Sequence, residues 1–192
     1  MDLTSLIKNK KLHLKSCKTI VTDTLGQRYE EINGEKKKLP PGTPFVIDYK
    51  PDLQIARVIP GLFLSSQDPV VNKDILDQYE IQHVLSIGIY VSIKFDDIKY
   101  YYCDLLDLPE SDLFAAIKKC VKIIDENRNE NILVHCNAGV SRAPAIVISY
   151  LMAFEDISYD VAYNKVKNIR NCIKPNEGFV RQLKTLKLSS ML

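Results

Sequence analysis

The stretch ILVHCNAGVSRAP, residues 132–144, changes character twice. NILVHC is a short apolar run without polar alternation, the pattern of a central strand covered on both faces. APAIVISYLMAF carries almost no polar residue and predicts a buried helix. Between them lies a loop of mostly small residues, closed by Arg142 and opened by Cys136. Where a buried strand hands over to a buried helix, backbone N–H groups point outward and the helix dipole favours negative charge. Gly139 permits a backbone angle that other residues resist. A loop of this kind can turn its amides around a phosphate-sized dianion. Arg142 adds a planar, two-pronged donor matched to two phosphate oxygens. The candidate anion-binding residues are therefore Asn137, Ala138, Gly139, Val140, Ser141 and Arg142.

The same field acts on the thiol. A free cysteine titrates near ~8.5, and helix N-termini or neighbouring cations lower this to ~3.5–7.5. Cys136 is expected to be a thiolate at neutral pH, a nucleophile aimed at phosphorus. Ser141 is expected to donate its hydroxyl to that sulfur, and buried His135 to orient the loop rather than act as a base. A leaving alkoxide or phenolate needs a proton, and the loop contains no acid. In a parallel sheet, the loops after the strands' carboxyl ends converge on one edge. Asp104 and Asp107 both follow the run KYYYC; Asp107, deeper in the loop before Leu108-Pro109, is the favoured acid and Asp104 the alternative.

Outward from this stretch, the chain alternates strand and helix signals. LQIARVI (53–59), GLFLSS, QHVLSIG and KYYYCDLL read as strands. DPVVNKDILDQYE reads as a helix capped by Asp68 with Pro69 at its first position. Asp112 can cap a helix whose apolar face is Leu113, Ile117, Cys120, Val121 and Ile124. Ser158 starts another that carries Val161, Ala162, Val166 and Ile169, and Asn176 a last one with Phe179, Leu183 and Leu186. The expectation is an α/β fold, a central mostly parallel sheet of about five strands flanked by helices. Composition shifts near residue 50. Residues 1–50 are expected to be a partly ordered extension, with KTIVTDT and QRYEEING as a short hairpin or extended stretch, and 51–192 to be the catalytic domain.

Bulk numbers limit the function classes. The chain has 192 residues, 46% of them hydrophobic and 26% charged, enough for a packed core. A formal charge of +2 is not a nucleic-acid-binding balance. Five cysteines, widely spaced and without CxxC, argue against a disulfide framework or a zinc knuckle. No apolar run approaches the ~18 residues that span a bilayer. A reduced protein of the cytoplasm, with the nucleus as a second compartment, is the expectation; no membrane and no nucleic-acid partner is expected.

VHCNAGVSRAPAIVISYLM resembles the Cys-(X)5-Arg signature of the cysteine-dependent protein phosphatases, and its SRA ending resembles the dual-specificity branch. DLPESDL is similar to that branch's acid loop, and IKPNEGFVRQL to its late motif, in which an asparagine, here Asn176, braces the phosphate loop. VIPGLFLSSQDPV and IQHVLSI resemble its first strands. The resemblance covers residues 53–187 and implies removal of phosphate from phosphotyrosine and phosphoserine/phosphothreonine in proteins. It implies Cys136, Arg142 and Asp107 as catalytic residues, a phosphocysteine intermediate, no metal or other cofactor, and phosphorylated proteins of MAP-kinase pathways, the kinases or their activators, as partners. Ser65 and Ser86 stand where the family often has glycine and asparagine, and Val140 replaces a larger side chain. Alternatives are a kinase-binding scaffold with little turnover and a lipid or RNA phosphatase; a loop without lysines argues against polyphosphorylated ligands. Cys103 is a candidate to protect oxidised Cys136 as a disulfide. The basic patterns at Lys8–Lys15 and Lys36–Lys38 read as solvated faces, with kinase docking as the alternative.

Overall fold

A computed structural model describes residues 18–22, 28–32, 34–39 and 51–186. The chain divides into two units, residues 1–50 and 51–192. In the first, β1 (Lys18–Thr22), β2 (Arg28–Ile32) and β3 (Glu35–Lys38) form an antiparallel sheet in that order. The β1–β2 hairpin lies where KTIVTDT and QRYEEING suggest one. Across β2 and β3, Glu30 faces Lys37 and Glu31 faces Lys36, opposite charges on neighbouring strands. Lys36, Lys37 and Lys38 are exposed. Cys17, His13 and Lys8–Lys15 lie outside the described residues.

The second unit is built on five strands: β4 (Ala56–Ile59), β5 (Leu62–Ser65), β6 (His83–Ile87), β7 (Lys99–Cys103) and β8 (Ile132–His135). Their order is β4-β5-β8-β6-β7, with β4 antiparallel to β5 and the other pairings parallel. This is the expected α/β architecture, and β8 is central. Its residues alternate between two cores because successive strand side chains point to opposite faces. Ile132 and Val134 join Leu62, Leu64, Leu85 and Ile87 in one core, while Leu133 joins Phe63 and Val84 in the other.

The first core is covered by α2 (Leu113–Asn127), α3 (Arg142–Glu155), α4 (Tyr159–Ile169) and α5 (Glu177–Thr185). The second is covered by the 3-10 turn Asp68–Val71, by α1 (Lys73–Gln78) and by Ile98. All five expected apolar residues of α2 are buried, and every residue of α3 from Ala143 to Ala153 is buried. Each large aliphatic side chain so buried contributes roughly 1.5–3 kcal/mol before entropic costs.

Four local readings differ. Asp68 does not cap an α-helix: Pro69 sits in a 3-10 turn, Asn72 is extended, and its side chain caps the shorter α1 by accepting from Ile75 N. The first strand starts at Ala56 rather than Leu53; Leu53 is exposed, and Asp52 and Gln54 on either side of it bond to Arg170. The strand from Lys99 ends at Cys103, which leaves Asp104 beyond it. Val161 and Ile169 are exposed, because the buried stripe of α4 runs through Tyr159, Ala162 and Val166 instead.

Candidate active site

The loop from Cys136 to Arg142 crosses the carboxyl end of β8. Cys136 is 2% exposed and sits at its base. The carbonyls of residues 137–140 are held from outside the loop. Gln67 N donates to Asn137 O at 2.9 Å, and Lys174 N to Val140 O at 2.7 Å. Arg170 donates from Nη2 to Ala138 O at 3.0 Å and from Nε to Gly139 O at 3.1 Å. Ser141 O accepts from Ala145 N in the first turn of α3. With the carbonyls tied outward, the amides of residues 137–141 donate to no described residue. Such an arrangement of free N–H groups at a helix start binds anions. Gly139 has φ +63°, and a Cβ there would lie 2.5 Å from Ser65 O, so only glycine lets the loop pass this close to β5.

Arg142 is the loop's cation. Its Nη1 donates to Gly88 O at 2.8 Å and Ile87 O at 3.3 Å, which fixes the guanidinium to the end of β6. Its Nε is buried without a hydrogen-bond partner among the described residues. A buried orphan donor costs about 1–3 kcal/mol, a penalty that an anion in the loop relieves.

Asp107 reaches this loop and Asp104 does not. Asp107 Oδ1 accepts from Ser141 Oγ at 2.6 Å and from Asn176 Nδ2 at 2.8 Å, and Oδ2 lies 3.9 Å from Arg142 Nε. Asp104 is exposed and accepts from Tyr102 Oη at 3.3 Å. The Ser141 hydroxyl thus points to Asp107 and not to the Cys136 sulfur, contrary to expectation. The Asp107 carboxyl group accepts that hydrogen bond, and the same Oγ accepts from Asn176 N at 3.0 Å. Asn176 also caps α5 by accepting from Phe179 N at 2.9 Å, so one side chain ties acid and helix, and its amide the loop. His135 is buried between Ser86 Oγ at 2.7 Å and Cys136 O at 3.3 Å. Burial first, then Arg142, lowers its pKa to about 4, so it is a neutral spacer at physiological pH.

Residues 62–188 match the family model described as dual specificity phosphatase, catalytic domain. This chain belongs to the dual specificity phosphatase family. It is 37% identical over 147 residues to mouse (Mus musculus) dual specificity protein phosphatase 19, covering 75% of this chain and 67% of that protein. It is 38% identical over 136 residues to a probable dual specificity protein phosphatase of Dictyostelium discoideum, covering 70% of this chain and 34% of that one. The crystal structure of DUSP15 superimposes with a TM-score of 0.67 at 30% identity, covering 71% of this chain and 89% of that chain. The catalytic domain of this dual specificity phosphatase is that of a protein tyrosine/serine/threonine phosphatase.

The sequence reading missed one residue of this phosphatase's site. Arg170 is wholly buried at the end of α4. Besides Ala138 and Gly139, it donates to the Asp52 carboxylate and to Gln54 Oε1 at 3.4 Å. The signal was available: Ala162, Val166 and Arg170 recur at helical spacing, which places an arginine on the apolar stripe. The Cys103 expectation fails on geometry. Cys103 pairs with Ile87, and Ser86 with His135, so Cys103 lies level with Cys136 but two strands away. At ~4.8 Å per strand the backbones are roughly 10 Å apart, beyond the ~7 Å limit for a disulfide. Cys103 Sγ instead donates to Asp104 O at 3.8 Å and lies in the first core with Cys120 of α2, whose thiol most lowers its pKa, to about 7. Among the described residues no group of three or more His, Cys, Asp or Glu side chains could hold a metal ion.

Proposed function

We propose that Cys136 of this phosphatase hydrolyses phosphate monoesters on protein side chains through a phosphocysteine intermediate. The phosphate binds the amides of residues 137–142 and the Arg142 guanidinium. Cys136 Sγ attacks phosphorus, the S–P bond forms, the bond to the leaving oxygen breaks, and Asp107 gives that oxygen a proton. Water then attacks phosphorus, Asp107 takes its proton, the S–P bond breaks and phosphate leaves. Asn176 and Ser141 hold Asp107 over the loop throughout. The observation that carries this reading is the outward tethering of the carbonyls at positions 137–140, which leaves the loop amides free to bind an anion. Proteins of MAP-kinase pathways, in the cytoplasm or nucleus, are the proposed substrates.

The test is hydrolysis of a doubly phosphorylated kinase-loop peptide, compared with a phosphoinositide and an RNA 5′-phosphate. Wild type should favour the peptide, and chelators should leave the rate intact. Cys136→Ser should abolish turnover yet retain binding. Asp107→Asn should slow turnover about 100-fold or more, the scale of one general acid, and prevent phosphocysteine accumulation with alkyl phosphates in rapid-quench mass spectrometry. Full activity in Asp107→Asn would move the acid elsewhere. Turnover that survives Cys136→Ser would end the mechanism. Peptide binding without turnover in wild type would leave a scaffold.

A further inference from the structure

A hollow of about 230 Å³ opens beside the phosphate loop. One of its walls is hydrogen-bonded to that loop, and the other follows in the chain from a residue that is. Gln67 starts one wall and donates its amide to Asn137 O. The other, Tyr90 to Ser92, follows Gly88, whose carbonyl holds Arg142. His135, next to the nucleophile, lies at the hollow's inner end. A phosphorylated residue seated in the loop would therefore place its chain neighbours at this opening. The volume is below the ~300–1,000 Å³ of pockets that take whole small molecules, and suits one side chain.

The lining has three kinds of surface. Val70, Val71 and Val91 are aliphatic. Tyr90 is 77% exposed, and its ring is held by stacking on Tyr102 with centroids 4.2 Å apart and planes at 11°. Asp68 accepts from Asp52 N at 2.8 Å and forms no ion pair among the described residues. Lys73 does not neutralise it, because that amine is bound to Asp77 and Asp97. Asp68 and Val71 also border a second hollow that leads away from the loop toward Leu53 and Asp74, so the surface continues along the path of an extended polypeptide.

We propose that this hollow is a substrate subsite for a lysine or arginine side chain flanking the phosphorylated residue, with Asp68 and Tyr90 as its specificity-determining residues. An aliphatic stem suits the valines, and a cationic head suits a carboxylate and an aromatic face. A glutamate would meet the like charge of Asp68. A purely apolar side chain would leave Asp68 unmatched. The proposal rests on the reading of the 136–142 loop as the phosphatase site.

A phosphotyrosine peptide is varied with Lys, Arg, Ala or Glu at each of the three positions on either side, and kcat/KM is measured with the full chain. Lys or Arg at one position should raise kcat/KM about fivefold to tenfold over Ala, the combined size of one exposed ion pair and one cation–π contact, and Glu should lower it. Asp68→Asn keeps the acceptor for Asp52 N and should lower the Lys-to-Ala ratio about twofold to threefold, leaving the share that Tyr90 supplies. Asp68→Lys should turn the preference toward Glu, and Tyr90→Ala should reduce it about threefold. Each variant is judged by its own ratio, so a general loss of activity cancels. A flat series in wild type, or a Lys-to-Ala ratio left unchanged by Asp68→Asn, overturns the subsite. Failure of the underlying reading looks different: wild type then turns over no peptide, and the same series read as binding to Cys136→Ser still decides the subsite.

Discussion

At the scale of single residues, the site depends on groups that never touch the reacting phosphate. Arg170 is the strongest case. Its guanidinium holds two loop carbonyls and the Asp52 carboxylate at once. Arg170→Met leaves those oxygens unpaired and should cost about 2–3 kcal/mol, less than the ~3–5 kcal/mol of a fully buried broken pair because Asp52 is 43% exposed. Urea unfolding measures that loss. KM for an aryl phosphate should rise at the same time, because the loop amides lose their orientation. His135 makes a pH-dependent contribution. Its pKa lies at about 4 in the folded protein and 6.5 in the unfolded chain, so the unfolded state binds the extra proton. Its stabilisation is complete above pH 6.5 and is lost as pH falls from 6.5 to 4, about 3 kcal/mol in all. Urea midpoints across this window should fall more steeply for wild type than for His135→Asn.

At the scale of elements, what matters is how the acid loop is held against α5. Gly178 is in the first turn of α5, and a Cβ there would lie 2.0 Å from Pro109 O, a backbone atom of the acid loop. Gly178→Ala should therefore push the loop, and Asp107 with it, off its seat on Ser141 and Asn176. The expected result is a kcat lowered about tenfold or more with substrate binding in a Cys136→Ser background unchanged, because the phosphate loop is untouched. Gln182 adds a second tie, accepting from Leu113 N at 3.0 Å and donating to Ser111 O at 2.9 Å. The other end of the acid loop is held by the Asp112 cap of α2, which accepts from Ala115 N at 3.0 Å. Asp112→Ala should lower stability by about 1 kcal/mol. Helix boundaries of this kind are legible in a sequence, because Asn72, Asp112, Ser158 and Asn176 each satisfy an amide three positions on. The expected cap at Asp68 fails because Asp68–Val71 form a 3-10 turn, and the side chain that meets the first turn of α1 is that of Asn72, whose backbone is extended.

At the scale of the molecule, parallel pairing of β5, β8, β6 and β7 brings the ends of distant segments together. Asp107 and Ser141 are 34 positions apart, and Asn176 is 69 beyond Asp107. All of these residues belong to the unit of residues 51–192. A chain of residues 51–192 should fold and turn over an aryl phosphate at close to the full-length rate. A loss of affinity for a kinase substrate confined to this truncation would assign docking to residues 1–50.

Much of this was legible in the chain order alone. NILVHC had to be a central strand because it offers no polar face to water, and APAIVISYLMAF a buried helix for the same reason. Small residues between them, with Cys136 and Arg142 at either end, leave little else for the loop to do than bind an anion. These are local properties, set by side-chain size, polarity and period. What the chain order left open was which distant groups meet. Asp107 was already favoured over Asp104 by its place in the loop, but only the fold brings it to Ser141 and Asn176 and leaves Asp104 apart. Arg170 continues the Ala162–Val166 stripe in the sequence, but only the packing of α4 shows that its guanidinium holds the loop. Strand order and register decide such meetings, since they depend on which segments share a core, and no single segment encodes that by itself.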